Sequence, residues 1–157
     1  MSSPVTVAPL RVRRADMSDL DDLLALEHGA FDGDRMNRAQ YRRHLDSDSA
    51  QVMVASAGRH NLVGSLVLFF RKRSRVARLY SLATRPEARG QGVGATLLQA
   101  AVTAAARRGC RVLRLEVRTD NAAAIRLYQR EGYRRIGEYR HYYEDGADAW
   151  RYEKLLP

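Results

Sequence analysis

The segment Arg89-Gly90-Gln91-Gly92-Val93-Gly94 constrains this chain more than any other stretch. Glycines at alternate positions leave the backbone bare, so neighbouring N–H groups can turn together toward one anion without interference from a Cβ. The surrounding pattern places a strand before the loop, Val76–Thr84, and a helix after it, residues 93–108. A helix starting at such a loop adds free amides and the positive end of its dipole. Arg89 adds a planar, permanently charged donor. The segment reads as a pyrophosphate cradle rather than a plain chain reversal.

Two nucleotide motifs compete for that reading and fail. Gly90-x-Gly92-x-x-Ala95 satisfies the loose dinucleotide fingerprint, with Glu116 at the distance of a ribose-binding acid. Yet Arg85-Pro86-Glu87-Ala88-Arg89 separates the strand from the first glycine, and more than half the chain precedes the loop. The stretch after Glu116 is too short to complete a doubly wound sheet. A Walker loop needs Gly-Lys-Ser/Thr, which is absent.

Arg89-x-x-Gly92-x-Gly94 instead resembles the acetyl-CoA loop of the GNAT superfamily of N-acyltransferases, whose motif reads Gln/Arg-x-x-Gly-x-Gly/Ala. The likeness continues through residues 115–128, Leu-Glu-Val-Arg-Thr-Asp-Asn-Ala-Ala-Ala-Ile-Arg-Leu-Tyr, and Glu131-Gly132-Tyr133. These are similar to the RimI-type branch, which acetylates protein N-termini, typically of ribosomal proteins. The resemblance is specific between about Tyr80 and Tyr143. It implies an α/β fold whose twisted, mostly antiparallel sheet is split at the fourth strand and flanked by about four helices. It implies acetyl-CoA as cosubstrate, held by Leu82, Ala83 and Thr84 at a bulge in the split strand, by Arg89, Gly90, Gln91, Gly92, Val93, Gly94 and Ala95, and by Asn121. Glu116 matches the family's general base and Tyr128 the acid that protonates the departing thiolate. Arg140-His141-Tyr142-Tyr143-Glu144 resembles the segment flanking an N-terminal substrate, and Phe31 and Asp34 fall in the region bordering the acceptor groove.

Read from the residues alone, each of these has a plainer role. Glu116 can pair with Arg114 or Arg118, Tyr128 can pack its ring on the sheet, Asn121 can cap a helix, and Phe31 can lie in the core at a helix–helix turn. In isolation the plainer role is favoured for Glu116 and Tyr128; together with the cradle, and at the mutual spacing of the family the chain resembles, catalysis is implied for both.

The rest of the chain supplies the frame. Residues 10–13 alternate apolar and basic, as a half-buried first strand does. Asp16 and Ser18 offer caps to an amphipathic helix carrying Leu20, Leu23 and Leu24, and a second helical stretch covers residues 37–45. Residues 52–55 and 62–70 read as strands around a glycine turn. Gly109 and Gly132 close the two later helices, and residues 133–139 and 150–155 form two last strands around Asp145-Gly146.

Residues 1–9 read as a flexible tail without the features of a signal peptide, and residues 10–157 as one domain. No run is long and apolar enough for a membrane span. The single cysteine, Cys110, excludes an internal disulfide and fits the cytoplasm as a buried structural thiol. No His, Cys or carboxylate cluster suggests a metal, and His28 and His44 receive no chemistry. The net charge of +9 favours an acidic partner such as a ribosomal surface, although Arg71-Lys72-Arg73-Ser74-Arg75 reads first as a solvated hairpin loop. Three functions remain: acetyl transfer to a protein or peptide N-terminus, acetyl transfer to a small amine, and a CoA-binding accessory module without turnover. Intact Glu116 and Tyr128 argue against the last. The sequence sets no oligomeric state.

Overall fold

Residues 9–58 and 61–157 are described by a computed structural model. The expected tail, apart from Pro9, and the middle of the turn at 56–61 lie outside the described residues. In chain order the elements are β1 (Leu10–Arg14), α1 (Leu20–Ala30), α2 (Arg38–Leu45), β2 (Ala50–Ala57), β3 (Leu62–Phe69), β4 (Val76–Thr84), α3 (Val93–Arg107), β5 (Val112–Arg118), α4 (Ala122–Arg130), β6 (Arg134–Tyr139) and β7 (Ala149–Leu155). The strands form one sheet in the order β1-β2-β3-β4-β5-β7-β6. Every neighbouring pair is antiparallel except β4 and β5. The expected mixed architecture and order of elements are thus observed, and a doubly wound parallel sheet is excluded.

Local chemistry explains the boundaries. Asp16 and Asp19 form a reciprocal cap on the short 3-10 turn that leads into α1, and Arg13 forks onto both oxygens of Asp19 at 2.7 Å. Asn37 and Gln40 cap α2 in the same reciprocal way, satisfying donors that the helix itself leaves free. Strand alternation then divides the core between the two faces of the sheet. Val52 and Val54 pack with Leu23, Leu26 and Tyr41 beneath α1 and α2. Met53 and Ala55 face the other way, toward Leu97 and Ala101 of α3. Gly64 of β3 lets α3 come close, because a Cβ there would lie 2.6 Å from Val93 Cγ1. Cys110 is buried at the far end of α3, and burial pushes its thiol up. No helix among the described residues is long and apolar enough to cross a membrane.

Candidate active site

The glycine loop is built as a cradle. Beyond β4, Arg85 ties back to β3 through its N–H to the Val63 carbonyl (2.8 Å) and its Nε to that of Leu62 (3.0 Å). One 3-10 turn, Pro86–Ala88, comes next. Gly90 and Gly92 then take φ of 81° and 80°, which a side chain would strain. The carbonyl of Gly92 accepts from the N–H of Thr96 at 3.0 Å and its Oγ1 at 2.8 Å. The N–H groups of residues 90–95 donate to no acceptor among the described residues. Val93, 2% exposed, pins the helix start against the sheet. A row of free amides, a helix N-terminus and the exposed Arg89 together fit the diphosphate of a coenzyme A thioester.

The sheet opens beside that cradle. Pairing of β4 with β5 runs from Val76↔Val112 to Leu79↔Leu115 and stops, although both strands continue. The cause is a bulge: Leu79 pairs with Leu68 and Ser81 with Val67, leaving Tyr80 as the extra residue. A bulge bends and twists its strand, here away from β5. The family resemblance puts the bulge at Leu82, Ala83 and Thr84; the structure corrects this, since those three stay in regular register with Leu66, Ser65 and Gly64. They still line the opening. Because the N–H of Arg85 points to β3, two-residue alternation turns those of Thr84 and Leu82 to the open edge.

Glu116 sits one residue beyond the last β4–β5 pair, its side chain 14% exposed. Its partner is neither Arg114, which pairs with Glu153 at 3.2 Å, nor Arg118, which forks onto Asp145 at 2.6 and 3.2 Å. The partner is Arg78 across the split, whose Nε lies 3.2 Å from the Glu116 carboxylate and whose other arm donates to the Tyr142 hydroxyl at 2.6 Å. The sequence reading missed Arg78. The signal was a lone cation inside the apolar run of β4.

Tyr142 and Tyr143 pack edge to face at 5.0 Å. Burial and the Glu116 charge push the Tyr142 hydroxyl up against the opposing pull of Arg78. Tyr143 is pushed up to about 12 by burial first, then by Tyr142, Glu116 and Asp34. Asp34, in the loop after α1, takes a left-handed conformation. Phe31 is the C-cap of α1 and half-buried, outside both hydrophobic cores, so the core role open to it in the sequence is not taken. Beneath the loop, the buried Glu27 accepts from the Tyr41 hydroxyl (2.8 Å) and the Met36 N–H (3.3 Å).

Tyr128 of α4 is 6% exposed and meets Tyr133 edge-on at 5.8 Å. Burial, and secondarily Tyr143, raises its hydroxyl well above the ordinary range. That hydroxyl makes no hydrogen bond to a described residue and is not sealed in, whereas the Tyr133 hydroxyl is fully enclosed without a partner. Asn121 caps α4 through Oδ1 to the Ala124 N–H at 3.1 Å, which leaves its amide nitrogen free.

A mostly antiparallel sheet, opened between its one parallel pair at a glycine-rich helix start, is the architecture expected of an N-acyltransferase. Residues 17–133 match the model of the Acetyltransferase (GNAT) family, and the chain belongs to that family. The N-alpha-acetyltransferase RimI of Mycobacterium tuberculosis is 35% identical over 158 residues, covering 95% of this chain and 91% of its own length. An uncharacterized protein of Mycobacterium leprae is 33% identical over 95% of this chain, which spans 42% of that relative. The ribosomal-protein-S18-alanine N-acetyltransferase of Escherichia coli superposes with a TM-score of 0.84 over 94% of both chains, at 23% identity. The chain is an acyltransferase, and its family uses acetyl-CoA.

Proposed function

We propose that this enzyme acetylates the N-terminal α-amine of a protein or peptide in the cytoplasm, by direct attack in a ternary complex. The observation that carries the reading is Glu116 on the open edge of the split, held by Arg78 between the cradle and the Tyr142–Tyr143 turn. Acetyl-CoA supplies the activated thioester. Residues 89–95 and Asn121 hold its phosphates and pantetheine, and the N–H groups of Leu82 and Thr84 offer donors for the carbonyl oxygen, a preorganised electrostatic contribution. Glu116 takes the ammonium proton through a water. Tyr128 keeps its proton throughout the working range, since burial raises it, and presents it to the departing sulfur. Phe31, Asp34, Tyr142 and Tyr143 border the acceptor. Cys110 lies at the other end of α3, away from this cleft, so no acetyl-enzyme is expected.

Magnitudes favour the α-amine. Reference pKa values are about 7.7–8.0 for an α-amine and about 10.4 for lysine. Freeing the lysine amine at neutral pH therefore costs about 3.5 kcal/mol more, a factor of several hundred. The name of the Mycobacterium tuberculosis relative, an N-alpha-acetyltransferase, leans the same way. The test is thiol release from acetyl-CoA with matched peptides bearing free or blocked N-termini and small amines alongside. Turnover is expected on the free terminus only; equal turnover on a blocked, lysine-containing peptide would overturn the assignment.

A further inference from the structure

The end of the molecule opposite the cradle collects charge that acetyl transfer does not use. The β3–β4 turn, residues 71–75, begins β4 eight residues before Thr84, about 27 Å away along an extended strand. α3 runs back from the cradle to that same end, bringing Arg107, Arg108 and Arg111. Backbone and ring contacts weld these segments together. The carbonyl of Arg75 accepts from Arg111 (2.7 Å) and Val112 (3.2 Å), and the guanidinium of Arg108 lies 3.8 Å from the centre of the Phe70 ring while donating to the Asp48 carbonyl at 2.6 Å. The surface continues into an open groove of about 430 Å³ between β1 and α3, whose rim carries Arg14, Arg107 and Arg108 and whose floor includes Val12, Met53 and Ala104. The side chains of Arg14, of the four cations in the turn and of Arg107, Arg108 and Arg111 are all exposed. None of them has a carboxylate within 4.0 Å among the described residues. Asp46 and Asp48, on the adjoining α2–β2 turn, are the nearby acids.

We propose that this basic pole docks the phosphate backbone of a nucleic-acid duplex, on a face separate from the acetyl-transfer cleft. Crowded like charges repel one another until an anion joins them. All but Lys72 are arginines, whose rigid forks match phosphate oxygens bidentately. Among the described residues no aromatic ring is exposed there for stacking unpaired bases, Phe70 being 9% exposed beneath Arg108. Among the described residues Leu155 alone is a large exposed apolar side chain near this end, too little for insertion into a membrane. Dense charge without exposed aromatic rings recognises a repeating anion rather than a particular side chain, and a duplex backbone is such an anion.

The test is fluorescence anisotropy of the full chain with a labelled RNA duplex, a DNA duplex and a single strand of equal length. If about five cations engage phosphates at once, log affinity falls against log salt with a slope of about −4.5, roughly 500-fold between 50 and 200 mM. Both duplexes should bind more tightly than the single strand. R73A/R107A should flatten the slope by about 1.8 and weaken binding at least tenfold. R126A/R130A removes the same charge from the exposed face of α4 and should bind as the parent does, with both variants melting at the parental temperature. Equal losses in the two variants would reduce the effect to net charge and overturn the site. Tighter binding of the single strand would overturn backbone docking, and displacement of the duplex by polyglutamate at equal charge would assign the pole to an acidic protein instead.

Discussion

Glu116→Gln separates a catalytic from a structural reading of the cleft. The replacement keeps the side chain's size and one acceptor oxygen and removes the charge that holds Arg78. The Arg78 side chain is 41% exposed, so water takes over much of what its guanidinium loses. An ion pair of that exposure contributes on the order of 0–1 kcal/mol, which moves the Tm of a domain this size by no more than about 4 °C. Loss of a general base instead slows the reaction by about 10²–10⁴, about 2.7–5.4 kcal/mol at 1.36 kcal/mol per tenfold. The two ranges do not overlap, so one variant decides between them. The assay is a pH–rate profile of thiol release on a peptide with a free N-terminus, alongside a thermal melt. The deficit should be greatest at low pH, where the amine arrives protonated, and shrink as pH rises past about 8. Arg78→Ala should fall between parent and Glu116→Gln in kcat, with KM for acetyl-CoA unchanged, because it only orients Glu116 and Tyr142. Turnover of Glu116→Gln within threefold of the parent at every pH would leave the pair a structural contact and remove the proposed base.

Three further outcomes are expected from the geometry. Gly92→Ala meets open space but a φ of 80°, so it should cost the fold about 1–2 kcal/mol of strain and weaken acetyl-CoA binding more than tenfold by calorimetry; Gly94→Val also pushes on Leu127, 2.7 Å from the new Cβ, and should lose both stability and affinity. Tyr128→Phe should lower kcat about 10²-fold with acetyl-CoA affinity unchanged and stability nearly so, because no protein hydrogen bond is lost; an unaltered kcat would free Tyr128 of the role. Burial holds the Glu27 carboxyl above its ordinary value of 4.5, so the native state keeps a proton that the unfolded chain releases, and the cost to stability sets in as pH rises past that value. Thermal melts at pH 4.5 and 7.5 should therefore show Glu27→Gln gaining on the parent with pH, whereas Glu27→Ala, stranding the Tyr41 hydroxyl and Met36 N–H, should lose about 2–5 kcal/mol at both; parallel curves for Glu27→Gln and parent would contradict the buried charge.

The frame and the cradle are legible in the residues because both depend on local chemistry. Glycines at alternate positions, a proline ending the strand, Asn37 and Asn121 ahead of helices, and period-two alternation each act within a few residues of where they stand. The Glu116 partner is not legible, because Arg78 lies 38 residues earlier and the register of β4 against β5 decides who faces whom. Arg114 and Arg118, the neighbours on its own strand, turn instead to acids brought in by β7 and by the turn before it. The bulge at Tyr80 is equally hidden, since no glycine marks it and the mismatch arises only when β3 and β4 meet. Glu27 is a different kind of miss. Leu20, Leu23 and Leu24 mark an apolar stripe on which position 27 falls at helical spacing, so its burial was readable.

The site itself is a consequence of topology. Two adjacent strands can run parallel only if the chain crosses back over the sheet between them, and here the crossover is α3. A crossover of this kind sets the helix N-terminus at the carboxyl end of the strand it leaves, so the cradle and the far end of β4 are placed together by connectivity alone. The Tyr80 bulge then turns that end of β4 away from β5 while the base of the pair, from Val76 to Leu79, stays zipped. Under the proposed function, one unpaired edge thereby receives three kinds of group: amides of residues 90–95 for phosphate, strand N–H groups of Leu82 and Thr84 for a carbonyl, and Glu116 for a proton. Closing the edge by restoring β4–β5 pairing would satisfy the strand amides and at the same time shut the cleft. The hydrogen bonds missing from the sheet are therefore the ones the proposed reaction requires.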